Sequence, residues 1–228
     1  MASKIGIITG IQLEDSLVRK GFKLAGYSNV LTACAAGTAE GAQRAAQALI
    51  NQGATLLISF GVCGGLSPYV KAGDLILAGS VSMNGEIIDL KSAWHQAALA
   101  QNPDARSGIM LSVAKPISTP EAKYAAYKNT EAVAVDVESF AVAQIAKDNG
   151  LACLIIRAVL DTAKQSLPDS ALSGVDETGK TQIWPVIKSL LKRPQDLPAL
   201  LDLARDSGRA QDTLKSVIKK GAPDFWAP

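Results

Sequence analysis

Short apolar runs that end in glycine or in an acid, separated by stretches with helical patterning, constrain this chain more than any other feature. Lys4-Ile5-Gly6-Ile7-Ile8-Thr9-Gly10, Ala54-Thr55-Leu56-Leu57-Ile58-Ser59-Phe60 and Ala152-Cys153-Leu154-Ile155-Ile156-Arg157-Ala158-Val159 show no polar alternation. Strands of that kind must be covered on both faces. Residues 73–78, 108–113 and 132–135 read as further strands. Helices are predicted over 13–24, 37–52, 121–129 and 137–149; Gly53 follows the second and Asn149-Gly150 ends the fourth. Alternating strands and helices predict an α/β fold with a mainly parallel sheet. Ligands of such sheets bind beyond the carboxyl ends of strands. Gly10, residues 61–65 and Asp161 all fall at predicted strand ends, where one crevice can gather them.

Composition excludes several classes. The 228 residues suit one large α/β domain, taken here as 1–228, and 48% apolar with 19% charged residues is ordinary for a globular chain. A net charge of +2 is too small to argue for nucleic acid. No apolar run reaches the roughly 18–20 residues that span a bilayer. The chain enters a strand pattern at Lys4 with no apolar signal core before it, so the expected compartment is the cytoplasm. Cys34, Cys63 and Cys153 are widely spaced and form no CxxC pair, which argues against zinc and against a disulfide framework. His95, beside Trp94, is the only histidine; a surface helix or loop and a structural or solvated role are expected for it.

The tail differs from the rest. Between Lys180 and Lys220 stand nine Lys/Arg and four Asp/Glu, an excess of five positive charges. Ile183, Trp184, Ile187, Leu190 and Leu191 fall at helical spacing, a Pro-interrupted helix follows over 197–209, and Leu214, Val217 and Ile218 come after it. The favoured account is a set of amphipathic helices, an extension over about 181–228, packed on the domain with basic outer faces. The alternative is an interfacial surface for anionic membranes or an amphiphilic substrate.

Three acids follow apolar runs. Glu14 comes after Gly10, Glu138 opens a predicted helix after Asp136, and Asp161 ends the last strong strand. Each has an ordinary explanation: a helix-dipole charge, a helix-start carboxylate, a turn cap. Their joint position at strand ends is harder to explain that way, because buried acids are costly and concentrate where they act. Phe60-Gly61-Val62-Cys63-Gly64-Gly65-Leu66, then Gly73-Asp74, reads as a glycine-rich turn after a strand. It allows close backbone approach to a ligand, but it is neither a Walker loop nor GxGxxG, and a simple tight turn explains it equally well.

Together these blocks resemble the purine and uridine phosphorylase/nucleosidase superfamily. The matching blocks are Gly6-Ile7 through Gly10 to Glu14, Gly61 through Leu66 to Gly73-Asp74, and Val135-Asp136-Val137-Glu138 with Arg157-Ala158-Val159-Leu160-Asp161. The resemblance covers about residues 4–170. It implies a three-layer sandwich with a central mixed, mostly parallel sheet. Within the superfamily the chain looks most similar to the hopanoid-associated phosphorylases, which act as adenosylhopane nucleosidases. That finer likeness rests on residues 157–168 and on the tail around Leu190-Leu191-Lys192-Arg193-Pro194 and Leu197-Pro198.

The resemblance implies that Asp161 protonates or hydrogen-bonds the purine N7, that Glu138 holds the ribose hydroxyls, and that Glu14 activates water. Gly61, Cys63, Gly64, Ile117 and Val137 join Glu138 as expected substrate-binding residues, with Ile117 as the apolar wall for the base. Val62 and Cys63 stand where phosphorylases of the superfamily carry a hydroxyl for phosphate, which favours water as acceptor. Arg19 and Arg44 leave phosphorolysis open. Val137 and Leu160 replace the methionine and serine common at their positions. The tail around Trp184, Ile187 and Leu191 is expected to line an exit for a lipid chain; removing 181–228 should then abolish lipid turnover and spare adenine binding. No metal or organic cofactor is implied, and a homodimer is expected. The competing functions are a phosphorylase or methylthioadenosine-type nucleosidase acting on a soluble nucleoside, and a non-catalytic nucleoside-binding module.

Overall fold

The computed structural model describes residues 3–25, 29–167, 197–221 and 225–226. Among them, nine strands form one sheet: β1 (Ile5–Thr9), β2 (Val30–Cys34), β3 (Leu56–Gly65), β4 (Leu75–Leu77), β5 (Ser80–Met83), β6 (Glu86–Asp89), β7 (Ile109–Ser112), β8 (Ala134–Asp136) and β9 (Ala152–Asp161). The order is β2-β1-β3-β8-β7-β5-β6, with β9 beside β3 and β4 beside β9. Pairs β1–β2, β1–β3, β3–β9, β5–β7 and β7–β8 are parallel; β3–β8, β4–β9 and β5–β6 are antiparallel. The sheet is therefore mixed and mostly parallel, as expected.

Helices cover both faces. α2 (Ala39–Asn51) and α5 (Ser139–Asp148) bury an alanine-rich layer against Ile8, Leu57 and Ile155. α1 (Gln12–Ala25), α3 (Ala93–Gln101) and a long helix α6 (Leu197–Gly221) enclose Ile5, Ile7, Phe60 and Ile156 on the opposite face. α4 (Pro120–Thr130) lies over Leu66, Ala132 and Val135. The interior helices start where a hydroxyl can take an orphan N–H: Thr38 Oγ1 accepts from Gly41 N at 3.0 Å and Thr119 Oγ1 from Ala122 N at 3.3 Å.

Four sequence expectations change. First, the glycine-rich segment is strand rather than turn: β3 continues through Gly61-Val62-Cys63-Gly64-Gly65, paired with β9 and, at Gly64-Gly65, with β8. β9 runs along one edge as far as Gly64, Glu14 accepts from Val62 N on the other, and β8 joins at Gly64-Gly65, so glycine composition does not break it. Second, His95 is buried, with Nε2 3.2 Å from Leu77 O and 3.3 Å from Ser107 Oγ. Third, β2, β5 and β6 had no counterpart among the predicted elements, and the helix or loop expected around His95 is the helix α3. β5 and β6 are joined by Asn84-Gly85, both at positive φ (51° and 86°), a pair that suits a tight hairpin.

Fourth, α6 is continuous across residues 197–221, because Pro198 sits in the first turn, where its missing N–H is harmless. α6 packs on β9 and α1 and buries Ala210, Leu214, Val217 and Ile218. Each large apolar side chain so buried contributes about 1.5–3 kcal/mol. Thr213 Oγ1 donates to Gly73 O at 2.6 Å, and Trp94 Nε1 donates to Phe225 O at 2.6 Å. Removal of 181–228 would thus strip the core, so it cannot separate lipid turnover from adenine binding. Trp184, Ile187 and Leu191, expected to line an exit, lie outside the described residues.

Candidate active site

The register shift between Cys63 and Gly64 brings Asp161, the last residue of β9, opposite Gly64. β8 ends at Asp136, and the chain turns through Val137 and Glu138 into α5. These strand ends frame a cavity of about 250 Å³ whose wall includes Cys63, Gly64, Ile117, Val137, Glu138 and Asp161. Leu160, Leu167 and, from α6, Leu203 complete its apolar side. A second cavity of about 240 Å³ shares Asp161 and Leu203. Six of the expected site residues therefore meet on one surface.

Glu14 and Gly61 lie behind that surface. Glu14 Oε2 accepts from Gly10 N at 2.9 Å and Ile11 N at 3.0 Å, and its Oε1 accepts from Val62 N at 2.8 Å. A Cβ at Gly61 would stand 2.5 Å from Glu14 Oε1, so only glycine leaves room for this carboxylate. A Cβ at Gly10 would meet Glu138 Oε1 at 2.8 Å and Glu14 Oε2 at 3.3 Å. The two glutamates thus approach each other across Gly10.

Arg157 on β9 binds the acids together, a role the sequence motif contained but did not reveal. Its Nη2 lies 3.0 Å from Asp136 Oδ2 and 3.1 Å from Glu138 Oε2, and it donates to Ser59 Oγ at 2.8 Å. Nη1 donates to Val62 O at 3.3 Å, and Nε donates to Ser139 Oγ at 3.4 Å. Asp136 also accepts from Ser112 Oγ at 2.7 Å and from Ser139 N at 3.3 Å. It secures the turn that aims Glu138, whose own side chain makes no cap bond to α5.

One guanidinium faces three carboxyl groups, and burial raises two of them, Glu138 and Glu14. Burial pushes Glu138 up from 4.5 to about 7; Arg157 opposes the rise, and Asp136 and Glu14 add to it. Glu14 is also raised by burial, against the pull of Arg157 and its backbone N–H partners. Burial raises Asp161 too, against Lys123. The Cys63 thiol is pushed well up, again by burial, which leaves it a neutral wall group rather than a nucleophile.

Lys123 is the site residue that sequence reasoning missed. It is fully buried, ion-paired to Asp161 Oδ2, and donates to Thr162 O at 2.9 Å and Gln165 O at 2.7 Å. The polar stretch Pro120–Thr130 gave no sign that its lysine points inward. Arg19, considered for phosphate, is engaged with Asp15 at 2.6 Å and with Thr32 O at 3.2 Å; neither it nor the exposed Arg44 reaches the cavity wall. Among the described residues no cluster of side chains suits a metal ion.

A mixed sheet with carboxyl groups gathered at its strand ends defines the class. The model of the phosphorylase superfamily matches residues 21–183, and the chain belongs to that superfamily. No curated protein matches it. Solved nucleosidases share its fold. 5'-Methylthioadenosine/S-adenosylhomocysteine nucleosidase from Neisseria meningitidis, in complex with methylthio-immucillin-A, superposes with a TM-score of 0.70 at 17% identity, covering 96% of this chain and 99% of that one. Futalosine hydrolase of Helicobacter pylori gives 0.67 at 18% identity, over 82% of this chain and 98% of that one. A mutant of the Helicobacter pylori methylthioadenosine nucleosidase with 5'-methylthioadenosine in its active site gives 0.68 at 17%, over 95% and 98%.

Proposed function

We propose that the chain hydrolyses the N-glycosidic bond of a purine nucleoside, with Asp161 as the acid and Glu138 as the ligand of the ribose hydroxyls. The observation that carries this is the pairing of Asp161 and Glu138 on one largely apolar cavity. A protonated Asp161 gives its proton to N7, and the bond pair of C1'–N9 leaves with the base. The excess of carboxyl groups over the Arg157 guanidinium favours the positive charge that grows on the ribose ring. Water adds to C1' and loses its proton to Glu14, which must release its backbone partners or act through a second water, because it is held behind the wall. Gly61 supports this role by giving the Glu14 carboxylate its space.

Water is favoured over phosphate as acceptor. Arg157 spends its donors on Asp136, Glu138, Ser59, Ser139 and Val62 O, and Val62 and Cys63 bring no hydroxyl. A phosphate dianion would meet carboxylates rather than a free cation.

For the substrate we take adenosylhopane, cleaved to adenine and ribosylhopane, on the sequence resemblance and on the cavity. A volume of about 250 Å³ lies below the roughly 300–1,000 Å³ of sites that enclose a larger ligand, so a bulky 5' substituent must project outward. Leu167 and Leu203 offer it an apolar path, and Leu197 and Leu201 continue α6 with exposed apolar side chains. Among the described residues no helix is long and apolar enough to cross a membrane; the membrane contact we propose is a peripheral one through the C-terminal helices. The decisive assay is release of the purine base (adenine from adenosylhopane and methylthioadenosine, hypoxanthine from futalosine), each with and without phosphate. Phosphate-independent release from adenosylhopane alone is the expected result. Release from a soluble nucleoside alone overturns the lipid substrate, a requirement for phosphate overturns hydrolysis, and tight binding without any release makes the chain a binding module.

A further inference from the structure

Lys123 is the one buried residue of α4. A helix that packs through a charge is unusual, since an apolar side chain there would avoid the desolvation cost. An ammonium carries three N–H donors, and Lys123 spends them on Asp161 Oδ2, Thr162 O and Gln165 O. Gln165 in turn accepts from Thr162 N at 2.7 Å and donates to Asp206 Oδ2 on α6 at 2.7 Å. Asp161 Oδ1 takes no hydrogen bond among the described residues, and both carboxyl oxygens lie 3.5 Å from the position of a Cβ on Gly64, a cavity-wall residue.

We propose that Lys123 is a positioning residue for leaving-group protonation: it holds Asp161 Oδ2, leaves Oδ1 to face the base, and stabilises the carboxylate that remains once the proton has gone. This inference rests on Asp161 acting as the acid. The step balances: the Oδ1–H bond breaks, an N7–H bond forms, the C1'–N9 pair goes to the base, and the new negative charge on Asp161 is matched by the Lys123 ammonium. Burial draws the acid toward its protonated form before the reaction, and Lys123 opposes that pull and favours release of the proton. The groups facing Asp161 are Lys123 from α4, Asp206 and Asp202 from α6, and Cys63 from β3, with Glu138 across the cavity. Asp206 is itself paired with Arg209 at 2.9 Å.

The test compares a purine nucleoside with nitrophenyl riboside, whose leaving group needs no proton. In Lys123→Met the ratio of purine to nitrophenyl turnover should fall about 10- to 100-fold. The alkaline limb of kcat/KM for the purine should move up by about 1–3 pH units, because the opposite charge that lowered the acid is gone. Lys123→Arg, which keeps the charge, should recover part of the ratio. Lys123→Gln gives the same comparison should the methionine variant not fold. Equal loss on both substrates with an unmoved limb, or no loss on either, overturns the proposal. A wild-type protein that cleaves neither substrate overturns the nucleosidase assignment itself, a result distinct from either.

Discussion

Asp161 and Glu138 need opposite protonation states, and burial raises both. Asp161→Asn cannot give a proton to N7 and should lower turnover of a purine nucleoside by about 10²–10⁴-fold with little change in binding; equal affinity and unchanged turnover would remove Asp161 from the mechanism. Glu138→Gln tests stability as well. The folded chain holds a proton on Glu138 up to about pH 7, whereas its unfolded counterpart releases it near 4.5. The native state therefore binds more protons across that window, and this contribution to stability falls as pH rises through it. Glu138→Gln should flatten that segment of a melting-temperature profile and raise the melting temperature at pH 8 while weakening ribose recognition. A steeper profile in the variant would contradict the assignment. These residues were legible as acids after apolar runs. Lys123 was not, since a lysine in a polar helix carries no mark of the direction in which it will point.

At the scale of elements, β3 carries the most function per residue. Its continuation through Gly61 to Gly65 brings Val62 N to Glu14 and Gly64 to Asp161, contacts that a turn at Gly61 would not make. Gly61→Ala should drive the Glu14 carboxylate from its place, costing about 1–3 kcal/mol in denaturant unfolding and most of the activity. Retained activity would show that Glu14 need not sit where it does. The glycines were visible in the sequence, but the two partner strands that turn them into a strand come from residues about 70 and 100 positions downstream. α6 makes the same point from the other side. Its amphipathic pattern was readable, and its packing on β9 and α1 follows from tertiary structure. Leu214→Ala, at a fully buried position of α6, should destabilise the whole chain by about 2–5 kcal/mol in a single cooperative transition. A separate early transition would instead show α6 to be an independent unit.

For the molecule as a whole, the proposed hydrolysis and the homodimer that the sequence resemblance implies are to be checked in solution. Light scattering should give twice the chain mass; a monomer with full turnover would show that one subunit completes its own site. Local pattern by itself determined the α/β class, the parallel character of the central strands and the acids at strand ends, because period and composition act over a few residues. The resemblance supplied the superfamily and the roles to look for. Only the tertiary structure decided that Glu14 sits behind the cavity wall, that Arg157 is engaged by carboxylates and hydroxyls, and that Lys123 reaches Asp161 from a helix 38 positions away in the chain. Those outcomes depend on which distant groups share a low-dielectric interior, where each buried charge must find its partner, and no local pattern states that choice.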